Sequence, residues 1–228
     1  MKLLRNYCSL FCASVFLLLT IAVGSAPGQN KGPEPASAKS AAAANINDVS
    51  YHGGSVSPAL PKPKFTLTDT SGLPYDFASK TRGYVTLLFF GYTHCPDMCP
   101  LQMAIITEAF KKLPPGTEDQ YKVIFVTTDP DRDTAPVLRQ WLDHFDKRYI
   151  GLTGSQAAVD AAQIAANLSP AKKSPVRPDG AYEVGHAAFV FAYTKDNLAH
   201  LIYPVGMTLD DWTHDLPALP NETWKHTP

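Results

Sequence analysis

A nearly unbroken apolar run, residues 84–90, is followed within five residues by a turn that carries two cysteines. A strand that is apolar on both faces is typical of the centre of a sheet covered by helices. The turn is Cys95-Pro96-Asp97-Met98-Cys99, and Pro100 comes next. Because proline fits only the first turn of a helix, where its missing N–H is not needed, Pro100 places a helix start at these cysteines. The chain must therefore form a buried strand, a cysteine-bearing turn and a helix.

The rest of the chain predicts elements in an order that suits a mixed sheet. The helix after the turn has apolar residues at Leu101, Ile105, Ala109 and Leu113, and Pro114 ends it. Patterning predicts further strands at 64–68, 73–77, 121–127, 187–193 and 198–203, and helices at 134–145, 155–168 and 209–219. Two βα units, a hairpin and a helix predict an α/β domain with a mixed central sheet flanked by helices, the order that a thioredoxin-like fold requires.

The N-terminus has the features of an export signal. Lys2 and Arg5 precede an apolar run at residues 7–23, which is closed by Gly24-Ser25-Ala26. This pattern predicts a secretory signal peptide or an uncleaved membrane anchor at residues 1–26. On either reading the body of the protein is extracytoplasmic, in the periplasm or on the outer face of the cytoplasmic membrane, where disulfides can form.

Composition sets the expected domain limits and excludes one class of partner. Residues 27–63 are rich in Ala, Ser, Pro, Gly and Asn, which predicts a flexible tether. The folded domain is then expected at residues 64–220, with a C-terminal tail at 221–228. With 20 Lys and Arg against 21 Asp and Glu, the chain has no basic excess to neutralise a phosphate backbone, so we expect no nucleic-acid partner.

The cysteines of the turn have the surroundings of reactive thiols. With Asp97 as the N-cap, Cys99 lies in the first helical turn, where the positive end of the helix dipole stabilises a thiolate. A thiolate is both a nucleophile and a soft metal ligand, so Cys95 and Cys99 predict a redox pair or a metal site. A structural disulfide, or simply two buried thiols, is a third reading. It is disfavoured because cross-linking a short loop adds little stability.

The residues around the pair favour a metal. Three residues separate the cysteines and His94 precedes them, whereas reductive thioredoxin-like proteins usually have two residues between the cysteines and often Trp before the first. Two thiolates suit Cu(I), and an added imidazole also suits Cu(II). Two of the seven histidines are candidates for this imidazole. His94 is adjacent to Cys95. His186 begins an apolar strand, where it is either a ligand or merely a polar cap. Solvated or packed side chains are the default for the others: His52, His144, His200, His214 and His226.

Four segments resemble one family. They are Gly91-Tyr92-Thr93-His94-Cys95-Pro96-Asp97-Met98-Cys99-Pro100, Thr128-Asp129-Pro130-Asp131-Arg132-Asp133-Thr134, Tyr149-Ile150-Gly151-Leu152-Thr153-Gly154 and Val184-Gly185-His186. Together they are similar to the signature of the Sco/SenC family of copper chaperones, over about residues 64–219. The resemblance implies a thioredoxin-like fold that binds one copper ion through Cys95, Cys99 and His186. A redox thioredoxin has a cis-proline where this chain has Gly185-His186.

The resemblance also implies a function and partners. The family assists assembly of the dinuclear copper centre of cytochrome c oxidase subunit II, as a metallochaperone, as a thiol–disulfide reductase, or as both. Other thioredoxin-like proteins and copper chaperones are further expected partners, and a redox or copper sensor is a third possible role. This chain departs from the family in having Gly185 where Asp commonly precedes the histidine, and Ala187-Ala188 where a small hydroxyl residue is frequent.

Asp129 is a candidate supporting residue. It follows the second core strand, so its carboxyl group is expected near the cysteine turn, where it would orient a ligand or accept a proton on metallation. The alternative is that Asp129-Pro130 only shapes a turn and caps the following helix.

Overall fold

The structure, a computed structural model, describes residues 50–224. The predicted signal or anchor at residues 1–26 lies outside the described residues, as do Cys8, Cys12, His226 and most of the predicted tether. Within residues 50–224, no helix is both long enough and apolar enough to cross a membrane.

The described residues form an α/β fold around one large sheet. Its strands in chain order are β1 (Gly54–Pro61), β2 (Thr66–Asp69), β3 (Pro74–Asp76), β4 (Val85–Gly91), β5 (Tyr121–Thr127), β6 (Ile150–Thr153), β9 (Phe189–Tyr193) and β10 (Leu198–Pro204), and a separate hairpin contains β7 (Lys172–Lys173) and β8 (Val184–Gly185). The helices are α1 (Phe77–Lys80), α2 (Met98–Phe110), α3 (Ala135–Asp143), α4 (Gln156–Ala165) and α5 (Leu209–Asp215). The eight-stranded sheet has the order β1-β10-β9-β4-β5-β6-β2-β3.

The strand before the cysteine turn is central, as its sequence predicts. Every residue of β4 is buried. It runs parallel to β5, with Leu87 opposite Val123, and antiparallel to β9, with Leu87 opposite Ala192. This arrangement confirms the mixed sheet flanked by helices. Because parallel strands end at the same edge of a sheet, the turns after β4 and β5 are neighbours.

Helix α2 begins where Pro100 requires. Met98 is its first residue and Asp97 its N-cap, although the Asp97 side chain makes no capping hydrogen bond. Pro100 is therefore the third helical residue, in the turn whose N–H groups have no intrahelical acceptor. Cys99 faces inward, into the apolar core that also contains Met103 and Ile106.

The domain starts earlier than residue 64. Residues 54–61, which the sequence assigns to the tether, form β1 and pair antiparallel with β10. His52, also expected in the tether, donates its backbone N–H to Asp215 at 3.0 Å. Edge pairing needs only backbone groups, so a strand rich in Gly, Ser and Pro can join a sheet without the apolar alternation that reveals other strands.

The C-terminal end also differs from the sequence prediction. The helix expected at 209–219 ends at Asp215, and a separate 3-10 turn forms at Leu219–Asn221, because Pro217 interrupts the helical pattern. Residues assigned to a tail pack on the domain. Tyr51 donates its hydroxyl hydrogen to Glu222 at 2.7 Å, and Trp224 stacks on His200 with ring centroids 4.2 Å apart.

Candidate metal centre

The two thiols lie at the carboxyl edge of the central strands. Cys95 is half-buried in the loop after β4, and Cys99 is fully buried as the second residue of α2. Both are free thiols. The backbone N–H of Cys99 donates to the Cys95 sulfur at 3.4 Å, so the helix start points one of its unpaired donors at that sulfur.

The structure brings His186, but none of the other described histidines, into hydrogen-bonding distance of a cysteine sulfur. His186 follows β8, and its Nε2 lies 3.7 Å from Cys99 Sγ. Its Nδ1 lies 2.9 Å from the carbonyl oxygen of Ala187, which can only accept a hydrogen bond. Nδ1 must therefore carry the proton, and in the neutral ring the Nε2 lone pair faces the sulfur. Edge contacts with Phe89 and Tyr92 pack the ring, at centroid separations of 6.3 and 5.8 Å.

Burial keeps this pair uncharged before metal binds. Burial raises the pKa of the Cys99 thiol far above its usual range, and it lowers the pKa of His186. The stabilised thiolate expected at the helix N-terminus is thus wrong for Cys99 in the metal-free protein. The dipole contributes only a partial positive charge, and loss of hydration in the core outweighs it.

A glycine leaves room for the Cys99 sulfur. A Cβ atom added to Gly91 would lie 3.0 Å from Cys99 Sγ and 2.9 Å from two ring atoms of Phe125. The last residue of β4 therefore has no side chain, because helix α2 places the sulfur against its Cα.

The candidate donor atoms suit a soft metal, although they are not already arranged as a complete metal site. In residues 50–224, no group of three or more His, Cys, Asp and Glu side chains is already arranged as a metal site. The candidate donors are two sulfurs and one imidazole nitrogen, a combination that suits copper. Cys99 and His186 already face each other, and Cys95 is on a loop and partly exposed.

Asp129 lies at the predicted edge but not against the predicted ligands. It is fully buried, accepts the hydroxyl hydrogen of Tyr182 at 2.9 Å, and forms ion pairs with Arg132 and Lys173. Its role at the metal stays a hypothesis. The carboxylate bonded to the cysteine loop is Asp133, which the sequence analysis left without a role. The only sequence signal for Asp133 is its place in the same motif, four residues after Asp129.

Among the other described histidines, His94 is next to Cys95 in the chain, and the rest lie away from the cysteine turn. His94 is exposed, with Nδ1 3.5 Å from Asp133, and the His52 ring stacks on His214 with centroids 4.1 Å apart. His144 is exposed on α3's C-terminal end and contacts the Trp141 carbonyl oxygen.

Comparison with known proteins identifies the family. The SCO1/SenC family model matches residues 55–219, which is most of the chain and includes the cysteine turn and His186. The chain belongs to the SCO1/SenC family.

Relatives in this family share the sequence and the fold. Over 147 residues the chain is 32% identical to the mitochondrial protein SCO2 of Saccharomyces cerevisiae; the match covers 64% of this chain and 48% of that protein, about half its length. The solution structure of apo Sco1 from Thermus thermophilus has a TM-score of 0.67 and 33% identity, covering 76% of this chain and 99% of that one. Bradyrhizobium japonicum ScoI, solved with copper bound, has a TM-score of 0.61 and 32% identity, covering 71% and 99%. The thioredoxin-like α/β fold is therefore that of the Sco proteins.

Proposed function

We propose that this Sco protein binds one copper ion through Cys95, Cys99 and His186 and assists assembly of the dinuclear copper centre of cytochrome c oxidase. The observation that carries the proposal is the 3.7 Å approach of the His186 Nε2 lone pair to Cys99 Sγ. A fully buried thiol facing an unprotonated imidazole nitrogen has little use in a structural role, whereas both atoms are copper ligands. The copper-bound ScoI of Bradyrhizobium japonicum, a relative with this fold, supports it.

Copper loading requires the site to lose protons. Each cysteine gives up its thiol proton when its sulfur becomes a ligand, and His186 is ready because its Nε2 is already unprotonated. The raised pKa of Cys99 means that the metal must displace this proton against the cost of a buried charge, so loading should weaken as pH falls. Two thiolates and the imidazole would hold Cu(I), and solvent or a protein oxygen would complete a higher-coordinate Cu(II) site.

Exposure differs between the two sulfurs, and this suits transfer. Cys99 and His186 are held in or against the core, while Cys95 is on a partly exposed loop. An incoming thiolate of subunit II would replace Cys95 first, so that copper passes from one protein to the other by ligand exchange. The proposed partners are therefore copper, cytochrome c oxidase subunit II, and other thioredoxin-like proteins or copper chaperones.

The proposed location is extracytoplasmic. It rests on residues 1–26, as a cleaved signal or as an anchor in the membrane. The body of the protein would then face the compartment in which disulfides form and into which an oxidase copper subunit extends.

A thiol–disulfide reductase acting on the oxidase cysteines is the second candidate function. It is favoured by the free thiols and their unequal exposure, because a partly exposed Cys95 can attack a disulfide and a buried Cys99 can resolve the mixed disulfide. The Cys99 N–H donates to the Cys95 sulfur that would make this attack.

One experiment separates the two functions. The reduced, purified chain is titrated with Cu(I) and Cu(II), together with Cys95→Ser, Cys99→Ser, His186→Ala and the exposed control His144→Ala. We expect thiolate-to-Cu(II) charge-transfer absorption that each cysteine variant removes, weaker binding in His186→Ala, and no change in His144→Ala. Unchanged copper binding in the ligand variants would refute the copper site. Metal-free turnover on a protein disulfide would then support the reductase.

A further inference from the structure

The loop formed by residues 128–133 has two fully buried carboxylates, Asp129 and Asp133. They are four residues apart, and the Asp133 backbone N–H bonds to the Asp129 carbonyl oxygen at 2.9 Å, so the loop is one compact turn. Burying two carboxylates is costly unless each is fully hydrogen-bonded or paired. The hydrogen-bond and ion-pair partners of the two carboxylates show which parts of the site this buried turn holds in place.

Asp133 holds the cysteine side of the site. Its two oxygens accept the backbone N–H of Thr93 at 2.9 Å and the Thr93 hydroxyl at 2.6 Å. Thr93 stands two residues before Cys95. In the same loop, the Thr128 N–H donates to the Gly91 carbonyl oxygen at 2.7 Å. The segment that leads from β4 into the cysteine turn is therefore bonded to the 128–133 loop at two points.

Asp129 holds the histidine side. It accepts the Tyr182 hydroxyl at 2.9 Å and lies 3.3 Å from the Lys173 ammonium. Arg132, ion-paired with Asp129, donates to the Tyr182 carbonyl oxygen at 3.2 Å and lies over the Tyr182 ring at 3.7 Å. Lys173 ends β7, and Tyr182 comes two residues before β8, which leads directly to His186.

The hairpin of residues 172–185 needs such an attachment. Its strands β7 and β8 have two residues each and form their own sheet, without backbone pairing to the main sheet. Residues 172–180 are all exposed. Besides the Asp129 contacts, Lys173 pairs with Asp131 at 2.6 Å and the Ala171 N–H bonds to Gln163 at 3.1 Å. Val184 is buried in the core, and its backbone is hydrogen-bonded to Tyr92. The charged cluster around Asp129 thus supplies the largest group of polar contacts that fix the hairpin.

We propose that Asp129 and Asp133 are positioning residues that act as a pair, and that the 128–133 loop sets the distance between the cysteine turn and His186. This inference rests on the proposed copper site. Neither carboxylate touches a ligand. Asp133 acts through Thr93 on the cysteine loop, and Asp129 acts through Tyr182 and Lys173 on the hairpin that presents His186. Both halves of the site lie about ninety residues apart in the chain, and both are thereby held against the same turn.

The test uses the full chain with Asp129→Asn, Asp133→Asn and a control, Asp119→Asn. Asp119 is exposed and lies in the 3-10 turn before β5, at the other end of that strand from the 128–133 loop. In metal-free Asp129→Asn we expect faster amide hydrogen exchange across residues 172–185. Copper binding should be about 10- to 100-fold weaker. With Cu(II) bound, the electron spin resonance spectrum should lose its nitrogen coupling, while the sulfur charge-transfer band is retained. In Asp133→Asn the hairpin exchange should stay as in the wild type, while the sulfur band changes. Asp119→Asn should match the wild type.

A milder variant keeps the inference testable if Asp129→Asn does not fold. Tyr182→Phe removes only the hydroxyl that donates to Asp129. By itself it should speed amide exchange across residues 172–185. Where Asp129→Asn folds, the effects of the two variants on copper affinity should be less than additive, whereas Tyr182→Phe and Asp133→Asn should be additive, because only the first pair shares a contact. Unchanged hairpin exchange in both Asp129→Asn and Tyr182→Phe would overturn the proposal, as would equal changes at sulfur and nitrogen in both aspartate variants. Because hydrogen exchange needs no copper, this result is independent of whether the His186→Ala test supports the copper site.

Discussion

Replacing Gly91 with alanine is expected to disturb both the core and the metal centre. The added Cβ would lie 2.9 Å from two ring atoms of Phe125 and 3.0 Å from Cys99 Sγ. Comfortable contacts between non-bonded carbon atoms are about 3.5–4.0 Å, so each neighbour must shift by at least half an ångström or so. Phe125 and Cys99 are both fully buried, and neither can move into solvent. Over-packing of this kind typically costs about 1–3 kcal/mol of the free energy of unfolding.

Urea denaturation of the reduced, metal-free chain measures this cost. With a denaturant slope of about 2 kcal/mol per molar urea, Gly91→Ala should lower the unfolding midpoint by about 0.5–1.5 M. The displaced sulfur should also change its separation from His186, so the thiolate-to-Cu(II) band should shift or weaken. Gly54→Ala is the matched control, because its Cβ would meet Ile202 at an ordinary 3.5 Å.

The reasoning would be refuted by a Gly91→Ala protein with the urea midpoint and the Cu(II) absorption of Gly54→Ala. That result would mean that the edge of β4 and the start of α2 can separate freely, and that the position of the Cys99 sulfur is not set by packing. A lower midpoint with an unchanged copper band would confine the strain to Phe125.

Two further outcomes follow from single residues. Gly185→Asp introduces the carboxylate that the family commonly has, and its Cβ would meet only the Lys172 carbonyl oxygen at 3.8 Å. The variant should therefore fold normally and, in a copper titration, bind copper about tenfold more tightly than the wild type. Equal tightening in Gly185→Asn would exclude an effect of the added charge. Burial lowers the pKa of Lys62 from 10.5 to about 8. The unfolded chain then binds more protons than the folded one between these values, so stability rises with pH across that window, by about 3 kcal/mol in all. In urea denaturation, the stability of the wild type relative to Lys62→Met should therefore rise between about pH 7.5 and about pH 10, and parallel pH profiles would contradict it.

Local patterning accounts for most of the fold. The apolar run before the cysteine turn predicts a central strand, and β4 is buried throughout. Pro100 predicts the start of α2, which begins at Met98. The strands predicted at 187–193 and 198–203 form the expected hairpin, since β9 and β10 pair antiparallel. Each of these depends on periodicity or on a proline restriction within about ten residues of chain, which is the range over which sequence alone is informative.

Pairing between segments that are distant in the chain could not be predicted from the sequence. β1 joins β10 by backbone pairing and packs only Leu60 on the core, so its Gly, Ser and Pro content resembled a tether. The hairpin of β7 and β8 has strands of two residues each, too short for any periodic pattern. The packing of Trp224 on His200 likewise depends on a surface that only the folded sheet creates.

At the metal centre the division is the same. The sequence by itself determined that Cys95 and Cys99 stand at a helix start after a buried strand, because proline geometry and apolar patterning are local. Only the tertiary structure decided that His186 faces Cys99, that burial raises the pKa of this thiol, and that Asp133 bonds the cysteine loop while Asp129 bonds the hairpin. Contacts and loss of hydration depend on which distant segments meet in the fold, and the order of residues along the chain does not specify the distances between those segments.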